Sequence, residues 1–450
     1  MKISIIGTGY VGLVSGVCLA SKGHNVTCYD NNDEVVDSLN SGTPTFYETG
    51  LQQMLASVLK HQKFGAKLIS NGTDFDSELL IIAVGTPSKN GKINLSYIKK
   101  VSESIGKYLK LNNNFISVVV KSTVIPGTTD TVVRNVLEKF SGKRLGEFGL
   151  GMNPEFLREG NAIDDFMEPD RIILGYDDKK TLKLLKKLYE PWDCDKIFVN
   201  TRTAEMIKYA NNILLATQIS TTNELANIAT AIEGIDIMDV MNGVYADRRW
   251  SPILNDSTRI SPDILTYLVP GCGFGGSCFP KDVKALRSKS YEVGVEPKIL
   301  DAILAVNESQ PYQVIKLLEN SLLDLNNKRI MLLGLAFKPG TDDVRESVSL
   351  KIINYLLKNK TKILAHDPIA IDNSKKVVGK NKNLEFINDW KDNLSSVDAI
   401  LVATKWEEYK KLSSAKYQDE LNGKVLFDIR RFFTPKDFPK SVYLTIGRSI

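Results

Sequence analysis

The first thirty residues contain the feature that most limits what this chain can fold into. An apolar run at residues 2–6 is followed at once by GTGYVG at residues 7–12, and then by a helical stretch at 13–21. A second short strand at 26–29 ends at Asp30. This order of strand, G-x-G-x-x-G, helix, strand and acid is typical of a dinucleotide-binding unit, because the glycines let backbone approach a pyrophosphate at a helix N-terminus.

Asp30 lies eighteen residues past Gly12, where an acid can hold both ribose hydroxyls. A carboxylate there repels a 2′-phosphate, so the pattern predicts NAD rather than NADP. The same uncharged stretch, residues 3–21, follows a lysine and imitates a signal peptide or a short membrane span. Its glycines have phosphate-loop spacing, which argues against both, so we expect a soluble cytoplasmic protein.

Polar clusters follow three further predicted strands. The strand at 79–84 ends at Gly85-Thr86-Pro87, the strand at 116–120 ends at KSTVIPGT, and residues 150–152 lead into NPEFLREG. Any one cluster could be an ordinary loop. Three in series favour a site, because ligands of open α/β sheets bind at the carboxyl ends of the strands.

The middle of the chain predicts a long helix over residues 203–232, which contain no proline or glycine and place apolar residues at helical spacing. We expect it to link domains and to take part in dimerisation. Lys208 and Asn212 are four residues apart and share a face of this helix. A second α/β pattern begins near residue 328, with a strand at 329–333 and a helix expected to start in the acidic segment 342–347. It lacks G-x-G-x-x-G, so it should bind something other than a dinucleotide in the usual pose.

Cys278 is the strongest candidate for chemistry, in the run GCGFGGSCFPKD at residues 271–282. Glycines clear the approach to its thiol, and Pro280 is suited to the first turn of a helix. A thiol just ahead of a helix N-terminus, next to Lys281, is favoured as the thiolate, which is the nucleophilic form. The alternative is a buried structural cysteine beside a glycine-rich turn.

Composition sets the remaining limits. The 450 residues are 43% apolar and 25% charged, which suits a globular protein of two or three domains. The net charge of +5 suits small anionic ligands but gives no basic stripe for nucleic acid. Five scattered cysteines and three histidines form no metal-ligand spacing, so we expect no metal and a reducing compartment. Cys18 and Cys28 should be core residues, and Cys272 could pair with Cys278 under oxidation.

The chain resembles the nucleotide-sugar 6-dehydrogenases, the UDP-glucose/GDP-mannose dehydrogenase family, from end to end. The family's motifs occur in order as GTGYVG, VGTP, KSTVIPGT, NPEFLREG, KYANN, GFGGSCFPKD and GLAFKPGTDDVRES. The resemblance implies an α/β fold of two Rossmann-like, doubly wound parallel-sheet domains joined by a long central helix. It implies an NAD-binding domain at 1–200, a central domain with the cysteine loop at 201–310 and a UDP-sugar-binding domain at 311–450. It also implies a homodimer or larger homo-oligomer.

The activity implied is the NAD-dependent four-electron oxidation of UDP-glucose to UDP-glucuronate, through a thiohemiacetal and a thioester on Cys278. By resemblance, Lys208 and Asn212 stabilise the tetrahedral intermediates. Asp282 and Thr123 would position a water or assist proton transfer, and Glu155 would be the base in thioester hydrolysis.

Binding residues are also carried over from the family. Those implied for the cofactor are Gly7, Gly9, Tyr10, Val11, Gly12, Asp30, Thr86, Thr123, Glu159, Lys281 and Arg345. Those implied for the substrate are Phe156, Leu157, Arg158, Lys208, Asn212, Arg259, Tyr267, Gly275, Phe337 and Lys338. Among them, Arg259 matches an arginine that reaches the substrate from the partner subunit.

The chain departs from the family at a few positions. Val35 stands where many members have a basic residue. After KYANN, members often have a basic residue and an aromatic residue, whereas this chain has Gln218 and Thr221. Cys272 stands where many members have another residue type. Two other activities stay open: oxidation of GDP-mannose or another nucleotide sugar, and a two-electron hydroxy-acid dehydrogenase, which needs no cysteine. A non-catalytic nucleotide-binding regulator is a third reading, against which the intact thiol motif argues.

Overall fold

A computed structural model describes residues 1–70, 72–89 and 91–448. The chain divides into two compact units, the first made of residues 1–211 and 288–293, the second of residues 212–287 and the chain from Gly294 onward. Among the residues described, no helix combines the length and the apolar character needed to cross a membrane.

The first unit alternates strands and helices. Its strands are β1 (Lys2–Ile6), β2 (Asn25–Asp30), β3 (Phe64–Leu68), β4 (Leu79–Ile82), β5 (Ser88–Lys89), β6 (Lys92–Ile93), β7 (Ser117–Val120), β8 (Gly149–Met152), β9 (Arg171–Tyr176) and β10 (Asp195–Val199). Its helices are α1 (Tyr10–Ser21), α2 (Asp33–Asn40), α3 (Leu51–Lys60), α4 (Ser96–Leu111), α5 (Arg134–Ser141), α6 (Ala162–Met167) and α7 (Lys179–Leu188). A π-helical turn, Thr128–Val133, leads into α5.

The sheet of the first unit has the strand order β10-β9-β8-β7-β4-β1-β2-β3. Neighbouring strands are parallel except β8 and β9, which are antiparallel. In β4, Leu79 and Ile81 join the core on one face while Leu80 and Ile82 join the core on the other. Burial on both faces explains why these strands are continuous apolar runs. The order β3-β2-β1-β4-β7-β8 is the doubly wound order of dinucleotide-binding folds.

The second unit begins within a long helix. Its helices are α8 (Thr201–Ala231, which starts in the first unit), α9 (Ile237–Tyr245), α10 (Phe279–Glu292), α11 (Lys298–Leu322), α12 (Val348–Lys358) and α13 (Ile371–Val378). Its strands are β11 (Arg329–Leu333), β12 (Lys362–His366), β13 (Leu384–Phe386), β14 (Ala399–Val402), β15 (Val425–Asp428) and β16 (Val442–Thr445). Short 3₁₀ helices lie at Asp263–Leu268, Lys391–Ser396, Glu407–Ser413, Ala415–Tyr417 and Pro435–Asp437.

The second sheet has the order β13-β12-β11-β14-β15-β16 and is parallel throughout the described strands. This is again the doubly wound order, with Ile330 and Leu332 facing one core and Met331 and Leu333 the other. The expected pair of Rossmann-like sheets is confirmed, and α8 confirms the predicted long helix.

The prediction of a helix starting at residues 342–347 was wrong, because α12 begins at Val348. The Asp343 carboxylate accepts the backbone N–H of Arg345 at 2.9 Å and pairs with its guanidinium, so the acid stabilises a turn. Glu346 then has a φ of +51°, which an α-helix cannot contain. The acids of this segment therefore shape a loop.

Gly334 tests how tightly the second unit is packed at the end of β11. It has a φ of +101°, and a Cβ there would lie 2.4 Å from Thr404 Cβ. Gly379 also has a positive φ, +74°, but no atom lies within 4 Å of its Cβ position. Gly379 has a ψ of −170°, a region essentially restricted to glycine, so we expect Gly379→Ala to cost about 1–3 kcal/mol from backbone strain. Gly334→Ala should cost about 1–3 kcal/mol more from overpacking. Urea unfolding followed by tryptophan fluorescence measures both, and equal losses would contradict the packing argument.

Candidate active site

The GTGYVG loop of the first unit follows β1 and opens α1. Gly7 has a φ of +100°, and a Cβ there would lie 2.8 Å from the carbonyl oxygen of Ala83. A Cβ on Gly12 would lie 1.9 Å from the carbonyl oxygen of Gly7. At Gly9 a Cβ would meet nothing within 4 Å. Two glycines are thus required by close backbone packing, and the third leaves open space at the N-terminus of α1.

Asp30 ends β2 beside this loop. Its Oδ2 accepts the backbone N–H of Thr8 at 3.1 Å and also the Thr8 hydroxyl, which fixes the carboxylate. The first turn of α1 contains no acidic residue, so its N–H groups can face an anion. A helix N-terminus for a pyrophosphate and a fixed carboxylate for a ribose diol are the groups that a dinucleotide requires. The residues present therefore fit NAD.

Other residues predicted for the cofactor lie at the same edge of the sheet. Thr86 follows β4, and its hydroxyl donates to the carbonyl oxygen of Thr123, which follows β7, at 2.9 Å. Tyr10 starts α1 next to Val11, and burial, together with a hydrogen bond to Glu48, raises its pKa, so its hydroxyl keeps its proton. Glu159 lies in a turn that ends at Gly160.

A buried ion pair joins two predicted residues of the first unit. Lys208 Nζ lies 3.1 Å from Glu155 Oε1, and both side chains are buried. Burial pushes the pKa of Glu155 upward, but the charge of Lys208 and the Leu157 N–H, which donates to Oε2 at 2.7 Å, leave the pKa below its ordinary value. Glu155 is therefore a carboxylate at neutral pH.

Lys121 is a neighbour of this pair that sequence reasoning missed. It is buried at the end of β7, and its Nζ donates to Asn153 Oδ1 at 2.8 Å. Burial lowers the pKa of Lys121 to about 8, although the charge of Glu155 opposes that shift. A lysine directly after an apolar strand in KSTVIPGT was the available signal.

The remaining residues predicted on this segment have partners within the first unit. The Phe156 ring has the guanidinium of Arg171 at 4.4 Å and Lys208 Nζ at 5.3 Å from its centroid. Arg158 pairs with Asp165 at 2.6 Å, and its backbone N–H donates to the same carboxylate. These contacts fix a segment that forms no helix or strand over residues 153–160.

The cysteine loop of the second unit is held by side-chain amides. The N–H of Gly271 donates to Asn223 Oδ1 at 2.8 Å, and Gln310 Nε2 donates to the carbonyl oxygen of Gly271 at 2.9 Å. Asn307 bonds both the N–H and the carbonyl oxygen of Phe274, at 2.7 and 3.1 Å. These amides were not predicted from the sequence; polar residues at apolar positions of a helical pattern were the available signal.

Cys278 immediately precedes α10, and Pro280 is the second residue of that helix, which confirms the predicted helix start. The Cys278 side chain is half-buried, and the Ser277 hydroxyl lies 3.5 Å from the Cys278 Sγ. All five cysteines fall in the described residues and carry thiols. Cys272 is fully buried, and burial raises its pKa. Cys18 and Cys28 are also fully buried, as predicted.

Three predicted residues meet at the start of α10. Asp282 is buried, and its Oδ2 accepts a hydrogen bond of 2.7 Å from Asn212 Nδ2. Lys281 Nζ lies 2.8 Å from Asp282 Oδ1. Asn212 follows Lys208 by four residues in α8, so a helix places their side chains one turn apart.

Loops of the second sheet pack against the cysteine loop. A Cβ on Gly275 would lie 2.4 Å from the carbonyl oxygen of Glu346, so only glycine fits there. The N–H of Gly276 donates to the carbonyl oxygen of Arg345 at 3.0 Å, and a Cβ on Gly276 would lie 2.7 Å from the Phe337 ring. Predicted residues distant in sequence are thus brought together.

Four more side chains complete this region of the second unit. Arg430, which sequence reasoning missed, donates to the carbonyl oxygens of Gly273 at 3.1 Å and Ala403 at 2.8 Å. The Tyr267 ring lies 6.5 Å from that of Phe279, and Lys338 Nζ lies 5.7 Å from the Phe337 ring. Arg259 is exposed and donates to the carbonyl oxygens of Ala246 and Ser251, at 2.9 and 3.1 Å.

Sequence models of one family match the chain in three parts. The UDP-glucose/GDP-mannose dehydrogenase NAD binding domain matches residues 1–193, the central domain 202–309 and the UDP binding domain 331–435. The first match confirms NAD as the cofactor that GTGYVG and Asp30 predicted.

Known proteins resemble the chain over their whole length. A UDP-glucose 6-dehydrogenase of Rickettsia bellii is 36% identical over 459 residues, covering 100% of both chains. The UDP-glucose 6-dehydrogenase AglM of Haloferax volcanii is 36% identical, covering 97% of this chain and 98% of its own. The structure of a UDP-glucose dehydrogenase from Pyrobaculum islandicum has a TM-score of 0.88 at 34% identity, covering 100% of this chain and 98% of that one. The chain belongs to the UDP-glucose/GDP-mannose dehydrogenase family.

Proposed function

We propose that the chain oxidises the C6 alcohol of UDP-glucose to the carboxylate of UDP-glucuronate, using NAD⁺ twice. The relatives named for UDP-glucose and the family's NAD and UDP binding domains support this activity. The observation that carries the proposal is the thiol of Cys278, which stands at the end of a glycine loop directly before a helix N-terminus. A two-electron dehydrogenase has no use for such a thiol.

In this proposal the GTGYVG loop and Asp30 hold the dinucleotide, with Thr86, Thr123, Glu159, Lys281 and Arg345 as further contacts. NAD⁺, when bound, supplies the acceptor for the hydride that leaves C6 in each oxidation. Gly9 leaves room for the pyrophosphate to approach the backbone, Gly7 and Gly12 allow the tight turn and the close packing of α1, and the fixed carboxylate orients the ribose. These proposed roles follow from the loop geometry described above, applied to a bound dinucleotide.

Cys278 does the covalent work. The first oxidation removes a hydride from C6 and a proton from its hydroxyl, leaving an aldehyde. The thiolate adds to that carbon, a C–S bond forms, and the oxygen takes a proton to give the thiohemiacetal. Loss of a second hydride and the hydroxyl proton gives the thioester. The helix N-terminus and Lys281 favour the thiolate that starts this sequence.

Lys208 and Asn212 stabilise the negative charge that develops on the C6 oxygen. An ammonium and an amide N–H are suited to an oxyanion, and buried groups already held in place need little reorganisation. Lys208 is held by Glu155 and Asn212 by Asp282, at 3.1 and 2.7 Å. The substrate is gripped by Phe156, Leu157, Arg158, Tyr267, Gly275, Phe337 and Lys338.

Glu155 is the base in the last step. Its carboxylate takes a proton from water, the hydroxide adds to the thioester carbonyl, and the C–S bond breaks to release the Cys278 thiolate and the acid. Thr123 and Asp282 position water or assist the proton transfer. The Lys208 ammonium keeps Glu155 unprotonated, as a base must be before water attacks, and the same lowered pKa makes the carboxylate a weaker base.

A homodimer completes the proposal. Exposed apolar side chains on and just after α8 recur at 214, 225, 228 and 232, with the exposed fraction reaching 63% at Leu214. These spacings match the a and d positions of a helix–helix seam. The partner that packs on this apolar seam is a second copy of the chain, and Arg259 of each copy would reach the substrate of the other.

The reaction predicts two NADH released per UDP-glucuronate formed. NADH absorbance and mass spectrometry of the sugar product measure this ratio with UDP-glucose, GDP-mannose and UDP-N-acetyl sugars. Cys278→Ala should abolish acid formation, because no thioester forms. A ratio of one with an unaltered rate in Cys278→Ala would show a two-electron enzyme. Faster oxidation of GDP-mannose would refute the choice of substrate.

Glu155→Gln should slow thioester hydrolysis while both oxidations proceed. We expect a burst of two NADH per site, then turnover reduced by about 10²–10⁴-fold, because a general base contributes that much. Intact-mass analysis should show the sugar on Cys278. Glu138→Gln, which removes a carboxylate paired with Arg134, is the control and should turn over normally. Steady-state turnover equal to that of the wild-type protein would exclude Glu155 as the hydrolytic base.

Leu225→Glu should convert the dimer to a monomer, because it places a charge in an apolar seam. Leu111→Glu makes the same change at an exposed site at the end of α4 and should leave the mass unaltered. Light scattering after gel filtration measures both. A monomeric wild-type protein, or a Leu225→Glu variant of dimer mass, would disprove the seam.

A further inference from the structure

Glu48 is a buried carboxylate of the first unit that takes no direct part in the proposed reaction. Glu48 lies in the loop between α2 and α3 and is 5% exposed. Its Oε2 accepts the hydroxyl of Tyr10 and the N–H of Gly160, the latter at 2.7 Å. Its Oε1 accepts the N–H of Ala162 at 2.8 Å. A single side chain is therefore held by donors from two segments far away in sequence.

The donors of Glu48 belong to two parts of the proposed site. Tyr10 is the first residue of α1, immediately after the open Gly9 position of the dinucleotide loop. Gly160 and Ala162 follow the segment that carries Glu155, Phe156 and Arg158. That segment has no regular secondary structure, so side-chain anchors determine its path.

The bonds to Glu48 are strong ones. Hydrogen bonds to a carboxylate are shorter and roughly twice as strong as those between neutral groups, and leaving a buried partner unsatisfied is costly. Packing adds to them, since the rings of Tyr10 and Phe46 lie 5.0 Å apart two residues before Glu48. Moving any one of the three donors therefore disturbs the carboxylate that the other two share.

We infer that Glu48 is a positioning residue that fixes the dinucleotide loop and the Glu155 segment relative to each other. The inference rests on the proposed function for what the two segments do. Glu48 itself touches neither substrate nor cofactor. It orients Tyr10 beside the pyrophosphate site, and by holding Gly160 and Ala162 it sets the path of the chain that carries the hydrolytic base.

Glu48→Gln tests this inference. The glutamine NH₂ replaces one acceptor oxygen, so either the Gly160 or the Ala162 N–H loses its partner. We expect the Kd of NAD⁺, measured by calorimetry, to rise about tenfold. Amide hydrogen exchange over residues 155–165 should become at least tenfold faster in the unliganded protein. The oxidation burst should survive while steady-state acid formation falls about tenfold.

Asp178→Asn is the matched control. Asp178 also accepts two backbone N–H groups, those of Leu150 at 3.1 Å and Thr181 at 2.8 Å, and one hydroxyl, that of Thr181 at 2.6 Å. Asp178→Asn should lower the Tm of the protein without changing the Kd of NAD⁺ or producing a burst. Glu48→Gln behaving like this control, with a loss of Tm alone, would overturn the inference.

Tyr10→Phe separates the effect of Glu48 on the dinucleotide loop from its effect on residues 155–165. It removes the hydroxyl donor but leaves both backbone N–H bonds, so the Kd of NAD⁺ should rise while exchange over residues 155–165 stays at the wild-type rate. Faster amide exchange over residues 155–165 in Tyr10→Phe would contradict the prediction that the two effects are separable. The Kd and exchange measurements need no substrate, so they test Glu48 even if the wild-type protein fails to oxidise UDP-glucose.

Discussion

Burial of both faces of each sheet is the constraint on which the rest of this structure depends. Leu79 to Ile82 and Ile330 to Leu333 place consecutive side chains in opposite cores, which leaves no room for polar groups along these strands. Ligands of such sheets bind at the carboxyl ends of the strands. Thr86, Thr123 and Glu155 lie there, in the loops that follow β4, β7 and β8.

The two sheets use this edge in different ways. Gly7 and Gly334 directly follow β1 and β11 with φ values of +100° and +101°, and each donates its N–H to a carbonyl oxygen of the next strand in sequence, β2 or β12, at 2.8 Å. Asp30 is the last residue of β2, and Asp367 directly follows β12. Asp367 is saturated by its own unit, accepting the N–H groups of Leu335, Ala336, Ile369 and Ala370 and the Trp406 indole. Within the described residues, Asp30 accepts fewer groups, namely the N–H and hydroxyl of Thr8 and the N–H of Asn32.

Local pattern was enough to predict the parts of the site that depend on neighbours in sequence. The GTGYVG turn, the strand ends and the helix start beside Cys278 follow from glycine, proline and apolar periodicity alone. Glu48 could not be found that way, because its donors lie 38 to 114 residues away and its own segment has no motif. Asn223 and Asn307 do stand at apolar positions of a helical pattern, but that pattern does not indicate which distant backbone group each one bonds. The acids at 342–347 misled because Asp343 caps a turn as readily as a helix.

Two hydrogen bonds made by side chains of α8 limit which changes of sequence length this protein can tolerate. Asn212 bonds Asp282, and Asn223, eleven residues later, bonds the backbone of Gly271. Eleven residues are about three helical turns, so both amides emerge on one side of the helix. Deleting or inserting one residue between them would swing the second amide away by about 100° and release the loop. The stretch between them can therefore diverge by substitution but not in length, so homologous chains should align there without gaps.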